Sequence, residues 1–251
     1  MKKYLQQFSC SGSILLYMGM TPAIIYLTTL GCLRYSNKVS YCLSDVLCFD
    51  EHYTKFYIYP FVLLMIINLL KEEFRAGVVL RYGSSAKLMM KLFRRLIIIA
   101  AVVGIYQTIL TTALGLVYTP FQCNWDSLTG YPFFLVKNVV TQIPPTAIII
   151  LAHFLSIVLT TLVISMFVMV LWWMTETPVT GFIIIVGLLS IETNISIYVN
   201  VLFSIVSLRP DKIFLSGIDP WSFLGYPILI ILLLFISGTV IIRKIDFLRL
   251  K

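Results

Sequence analysis

Charge is what this sequence has least of. Only 12% of its 251 residues are Asp, Glu, Lys or Arg, about half the share usual in soluble proteins. A water-soluble globule is excluded on that ground. Acidic residues number 11 and histidines two, and neither His52 nor His153 has a ligand partner at a metal-binding spacing. The pattern Gly-x-x-x-x-Gly-Lys-Ser/Thr, which wraps phosphates in backbone amides, does not occur. ATP hydrolysis by this chain is therefore not expected. No stretch between the apolar runs reaches the roughly 50 residues that a soluble domain needs. A removable signal peptide is not expected either, because the run after Lys2-Lys3 continues past Met20 without a small-residue cleavage site.

What the sequence has in plenty is apolar length. Hydrophobic residues make up 59% of the chain and mean hydropathy is +0.96. They fall in runs near the about 20 residues of helix that cross a bilayer. The expectation is an all-α, polytopic membrane protein, a single transmembrane domain over residues 1–251. Six spans fit, at about 13–33, 56–70, 96–117, 145–174, 179–208 and 223–242, with both termini cytoplasmic. Sorted on that topology, thirteen Lys/Arg and four Asp/Glu lie inside, six of each outside, and Glu192 within a span. So asymmetric a basic charge sets orientation against an anionic leaflet. The net charge of +8 is thus no nucleic-acid surface.

Details follow along the chain. Pro22 should bend the first span. Residues 34–55 read as an external loop, in which Cys42 and Cys48 could bridge in an oxidising exterior, with Cys123 a competing partner. The second span is short, about 22 Å for a core of about 30 Å. Gln107, Thr108, Thr111 and Thr112 form a polar strip on the third. FFLVKNVV, after Trp125, reads as an interfacial helix. Trp172-Trp173 reads as an anchor pair at the inner face.

The fifth span holds Glu192, the one carboxylate within an apolar run. Such a group costs at least ~2.5 kcal/mol unless paired, wetted or protonated. With Thr193, Ser196, Asn200, Ser204 and Ser207 it occupies a sector of about 120° on a helical wheel. That stripe lines a substrate path or subunit interface, or forms a hydrogen-bonded seam between helices. His153 reads as a packing residue.

Seven of the nineteen basic residues gather between Lys71 and Arg95, in KEEFRAGVVLRYGSSAKLMMKLFRR. Glu72-Glu73 and Arg75 lead, Arg81 precedes a turn at Gly83 to Ser85, and a short basic helix follows. Ser84 or Ser85 can cap it. Lys87, Lys91, Arg94 and Arg95 recur on one helical face, with Leu88, Met89, Leu92 and Phe93 elsewhere. A helix of this kind can lie in the headgroup layer, its basic stems snorkelling.

This acid-led segment between a short and a long span resembles the first cytoplasmic loop of type-2 ABC exporter permeases, although Ala86 stands where that family has a basic residue. The resemblance implies a bacterial plasma-membrane protein, working as a dimer with a second copy or paralogue and a separate cytoplasmic ABC ATPase that holds ATP and Mg2+. Glu72, Glu73, Arg75, Arg81, Gly83, Ser84 and Ser85 would couple the two, and Lys87, Lys91, Arg94 and Arg95 would grip the lipid surface. The short external loops resemble those of permeases that export antimicrobial peptides or confer immunity to them. Two other classes fit the spans: a secondary carrier or channel, in which Glu192 would titrate, and a non-transporting membrane partner in a sensing or immunity complex. An intramembrane prenyl protease fits worse, since Gly77 stands where its Glu-Glu-x-x-x-Arg motif needs arginine.

Overall fold

The structure is a computed structural model that describes residues 2–34, 39–71, 84–131, 144–195 and 220–244. Among them the regular structure is entirely helical: α1 (Lys2–Arg34), α2 (Leu43–Tyr57), α3 (Tyr59–Leu70), α4 (Ser85–Tyr118), α5 (Thr146–Thr175), α6 (Pro178–Ile195) and α7 (Pro220–Lys244). Among the described residues, four helices carry stretches long and apolar enough to cross a membrane: Gly12–Gly31, Ala86–Tyr118, Thr146–Thr175 and Leu224–Ile242. Tyr59–Leu70 and Pro178–Ile191 are shorter apolar helices.

Side-chain direction agrees with a lipid surround. On α4, Ile98, Val102, Ile105 and Ile109 point outward, each at least half exposed, whereas Gln107 and Thr111 are wholly buried. Apolar outside and polar inside inverts the order that water imposes, and hydrocarbon is the solvent in which the inversion costs nothing.

Specific contacts fix the helix directions. Tyr106 of α4 donates its hydroxyl to the Met18 carbonyl of α1 (2.7 Å), and the Tyr26 and Tyr118 rings lie 6.4 Å apart. The two helices therefore run parallel. On α7, Gly238 admits the Met89 methyl of α4, and Phe235 meets Phe93 edge to face at 5.6 Å, so α7 is antiparallel to α4. α5 also opposes α4: Thr146 donates to the Phe121 carbonyl at one end (3.0 Å), and Gly104 faces Phe154 and Val158 midway. A Cβ on Gly104 would come within 2.6 Å of Val158 Cγ2, which is why glycine stands at this close approach.

α5 is the axis of the bundle. It packs against α2, α3, α4, α6 and α7, and two thirds of its apolar window is buried. The helix ends at Glu176, whose φ of 60° is left-handed, with its N–H bonded to the Trp172 carbonyl (2.9 Å). That conformation ordinarily selects glycine. Pro178 opens α6 at once, and Gly181 lets the α6 backbone lie against Val168 and Leu171.

Several sequence expectations change here. Residues 43–55 were expected in an external loop and instead belong to α2, which packs against α1, α3, α4, α5 and α6. The apolar second span is only the 12 residues of α3, opened by Pro60 in its first turn. The basic helix and third span are one unbroken 34-residue helix, about 51 Å long. Trp172 and Trp173 are buried in the main core, so they pack helices together instead of anchoring at an interface. FFLVKNVV lies outside the described residues.

Candidate functional site

Three groups of residues stand out: buried polar side chains inside the bundle, a cap at the end where α4 finishes, and a basic face where α4 begins.

The buried polar set belongs to α1, α4 and α5. Tyr17, Thr21 and Thr29 come from α1, Gln107, Thr108 and Thr111 from α4, and His153, Ser156, Thr160, Thr161 and Ser165 from α5, all buried. Gln107 Nε2 donates to the Tyr17 hydroxyl (3.3 Å), tying α4 to α1. Several helical hydroxyls here satisfy themselves by donating to a carbonyl one turn back. Thr21 bonds Tyr17, Thr119 bonds Gly115, Ser165 bonds Thr161, Ser190 bonds Val186 and Thr239 bonds Phe235. Thr108, Thr112, Thr160 and Thr161 do not: their Oγ1 atoms, like Gln107 Oε1, are buried without a hydrogen-bond partner. Each such atom costs roughly 1–3 kcal/mol. All five lie on α4 and α5, the two helices that Gly104 brings together. His153, Ser156 and Thr160 occupy one α5 stripe about 60° wide.

The cap joins residues 39–48 to residues 119–131. Tyr41 through Cys48 are all buried. Cys42 is the residue before α2, and Asp45, three further on, reaches back so that Oδ2 accepts the Cys42 N–H (2.8 Å). That is one leg of a capping box. Asp45 Oδ1 accepts the indole N–H of Trp125 (2.7 Å), itself wholly buried. Burial pushes the Asp45 carboxyl well above the ordinary carboxylate range, the neighbouring Cys42 adds to this, and the two N–H donors oppose it. Backbone bonds run from Ser40 N to the Thr129 carbonyl (2.9 Å) and from Leu43 N to the Pro120 carbonyl (3.0 Å), and Asn124 Nδ2 donates to the Ser40 carbonyl (2.6 Å). Leu43 sits directly against Gly115 of α4.

The cysteine expectation is corrected here. Cys42, Cys48 and Cys123 are all thiols. Residues 42 and 48 are six positions apart along α2, about 9 Å of axial rise, beyond the about 7 Å that a disulfide tolerates between Cα atoms. Cys123 packs against the same small cluster as Cys42.

At the start of α4, Lys87, Lys91, Arg94 and Arg95 border a shallow groove with Met90 and Ile98. The opposite face, Leu88, Met89, Leu92 and Leu96, is buried against the bundle. Ser84 is the N-cap residue in extended conformation, but its hydroxyl makes no capping bond.

Other expected site residues are not brought together. Glu72, Glu73, Arg75, Arg81, Gly83, Ser196, Asn200 and Ser204 lie outside the described residues. Ser85 opens α4, and Glu192 and Thr193 fall in the last turns of α6, without described side chains. Sequence reasoning missed the Asp45–Trp125 pair and Thr160–Thr161; the Asp-three-after-Cys spacing was the signal for the first. Comparison with family models, curated proteins and solved structures finds no match.

Proposed function

We propose that this chain is the transmembrane subunit of an ATP-driven exporter in a bacterial plasma membrane, powered by a separate cytoplasmic ABC ATPase and moving a peptide or other amphipathic substrate. One observation carries the reading: α4 is a single helix from the basic turns at Lys87–Arg95 to the buried polar residues at Gln107–Thr112. A push on its first turns is delivered along one rod to these buried polar residues, with no hinge between. On this reading α3, with α2 as its outer lead-in, completes six crossings. The start of α4 and both termini face the cytosol, as the basic charge requires. Glu72 and Glu73 meet basic residues of the ATPase, and a second copy of the chain or a paralogue completes the assembly.

The test is purification from native membranes in mild detergent, followed by identification of co-purifying chains and vesicle transport. A stoichiometric nucleotide-hydrolysing partner, lost on reversing both glutamates (Glu72→Lys with Glu73→Lys), is the expected result. Transport that persists after ATP depletion refutes the reading in favour of a secondary carrier. A bound ATPase with no transport in any reconstitution favours a sensing or immunity complex.

A further inference from the structure

The cap contains a pair of thiols that the proposed transport role does not use. Cys42 is wholly buried beneath Trp125 and Leu47, while Cys123 is only partly buried, packed at the edge of the same cluster. Both belong to one small cluster. The neighbouring Cys42 thiol holds the Cys123 thiol below its ordinary value, against an opposing effect of burial. Cys42 is pushed far up by the neighbouring Cys123 thiol and by burial. The accessible sulfur is thus the more thiolate-like and the hidden one keeps its proton, the division of labour found in attacking and resolving cysteines.

We propose that Cys123 and Cys42 are an attacking and a resolving thiol that exchange with an external disulfide and end as an intramolecular disulfide. The steps balance. The Cys123 thiolate attacks a disulfide R–S–S–R, forming Cys123–S–S–R and releasing RS−. Cys42 then attacks the Cys123 sulfur, its proton passing to the departing second RS−. Two protein thiols become one disulfide, and the external disulfide is reduced to two thiols. The product is a covalent staple between the start of α2 and the segment after α4, across the end of the polar interior. That the pair meets disulfides in the cell rests on the orientation under the proposed function; the exchange itself does not.

The test uses the full-length protein in detergent with oxidised glutathione, then alkylation, digestion and mass spectrometry. The expected product is a Cys42–Cys123 cross-linked peptide, with Cys48 alkylated. Cys42→Ser should accumulate the glutathione adduct on Cys123, and Cys123→Ser should leave Cys42 at least tenfold less reactive than Cys123 is in Cys42→Ser. A Cys42–Cys48 product, a lasting adduct on Cys123 in the unaltered protein, or no reaction there overturns the proposal. Orientation is read separately, by labelling Cys123 in Cys42→Ser on intact cells with a membrane-impermeant maleimide. Labelling only after permeabilisation overturns the transport topology and leaves the exchange chemistry to be judged by the detergent result.

Discussion

Replacing Asp45 tests whether the cap is held by its buried carboxyl. In Asp45→Ala two buried donors, Trp125 Nε1 and the Cys42 N–H, lose their acceptor. Each orphaned donor costs roughly 1–3 kcal/mol, and removing the carboxyl also removes its own desolvation, leaving a net loss of roughly 2–3 kcal/mol. At about 2–4 °C per kcal/mol for a chain of this size, apparent Tm in detergent should fall by about 4–12 °C. Asp45→Asn keeps one acceptor for the indole but turns an amide donor toward the Cys42 N–H, so it should lose about half as much. The pH dependence carries a sign. Because burial raises the folded carboxyl above its ordinary value, the folded state holds this proton more tightly than the unfolded chain. The contribution to stability is therefore greatest in acid and declines as pH climbs from the unfolded value through the folded one. In Asp45→Asn that slope should vanish. Thermal unfolding across pH, followed by tryptophan emission, measures all of this. A Tm for Asp45→Ala within about 1 °C of the parent, with unshifted emission, refutes the capping role.

Four further outcomes follow from the same geometry. Thr108→Val and Thr160→Val remove hydroxyls with no bond to lose, so Tm should hold or rise by up to about 1 kcal/mol equivalent, while transport in vesicles falls; unchanged transport counts against a path there. Gly104→Val drives a side chain into Val158 and should cost about 1–3 kcal/mol, read as a lower Tm. Glu176→Gly relieves a left-handed backbone and should raise stability by about 1 kcal/mol. Reversing Lys87 and Lys91 together to Glu should weaken retention of anionic lipid by the purified protein by about 1 kcal/mol per site, with no change for zwitterionic lipid.

The apolar helices were legible because hydrocarbon imposes one strong rule, an unbroken apolar stretch of sufficient length. The span expected at 145–174 is α5 almost to the residue, and that expected at 223–242 falls inside α7. α2 was not legible because Asp50, Glu51, His52 and Lys55 lower its hydropathy, and a hydropathy average has no knowledge of the five helices packed around it. Trp172 and Trp173 carry the composition of an interfacial belt, yet the central place of α5 buries them. The basic face of α4 was readable from spacing alone. Cys123 could be named from the sequence as a competing partner, but its packing in one cluster with Cys42 was not legible, since it depends on Leu43 meeting Gly115 and on the turn after Pro120, contacts that local spacing does not encode.

The hydroxyls separate structure from use within the bundle. A threonine facing lipid or an apolar neighbour can retire its proton to the carbonyl one turn back, and those on α1 and α7 do so. Thr108, Thr112, Thr160 and Thr161 have that same carbonyl within their own helix and leave it unused. Their rotamers are therefore set by packing between α4 and α5, not by hydrogen bonding. A purely structural seam would gain by turning each one back, at no cost in backbone. Retaining several unpaired donors at one helix pair is stable only because the rest of α5 is packed on every side. Under the proposed function it serves a polar group that passes between the helices. The end of that pair is where Thr146 bonds Phe121 and Leu43 bonds Pro120. On that reading a staple formed there would hold α2 and the post-α4 segment together while α4 and α5 part.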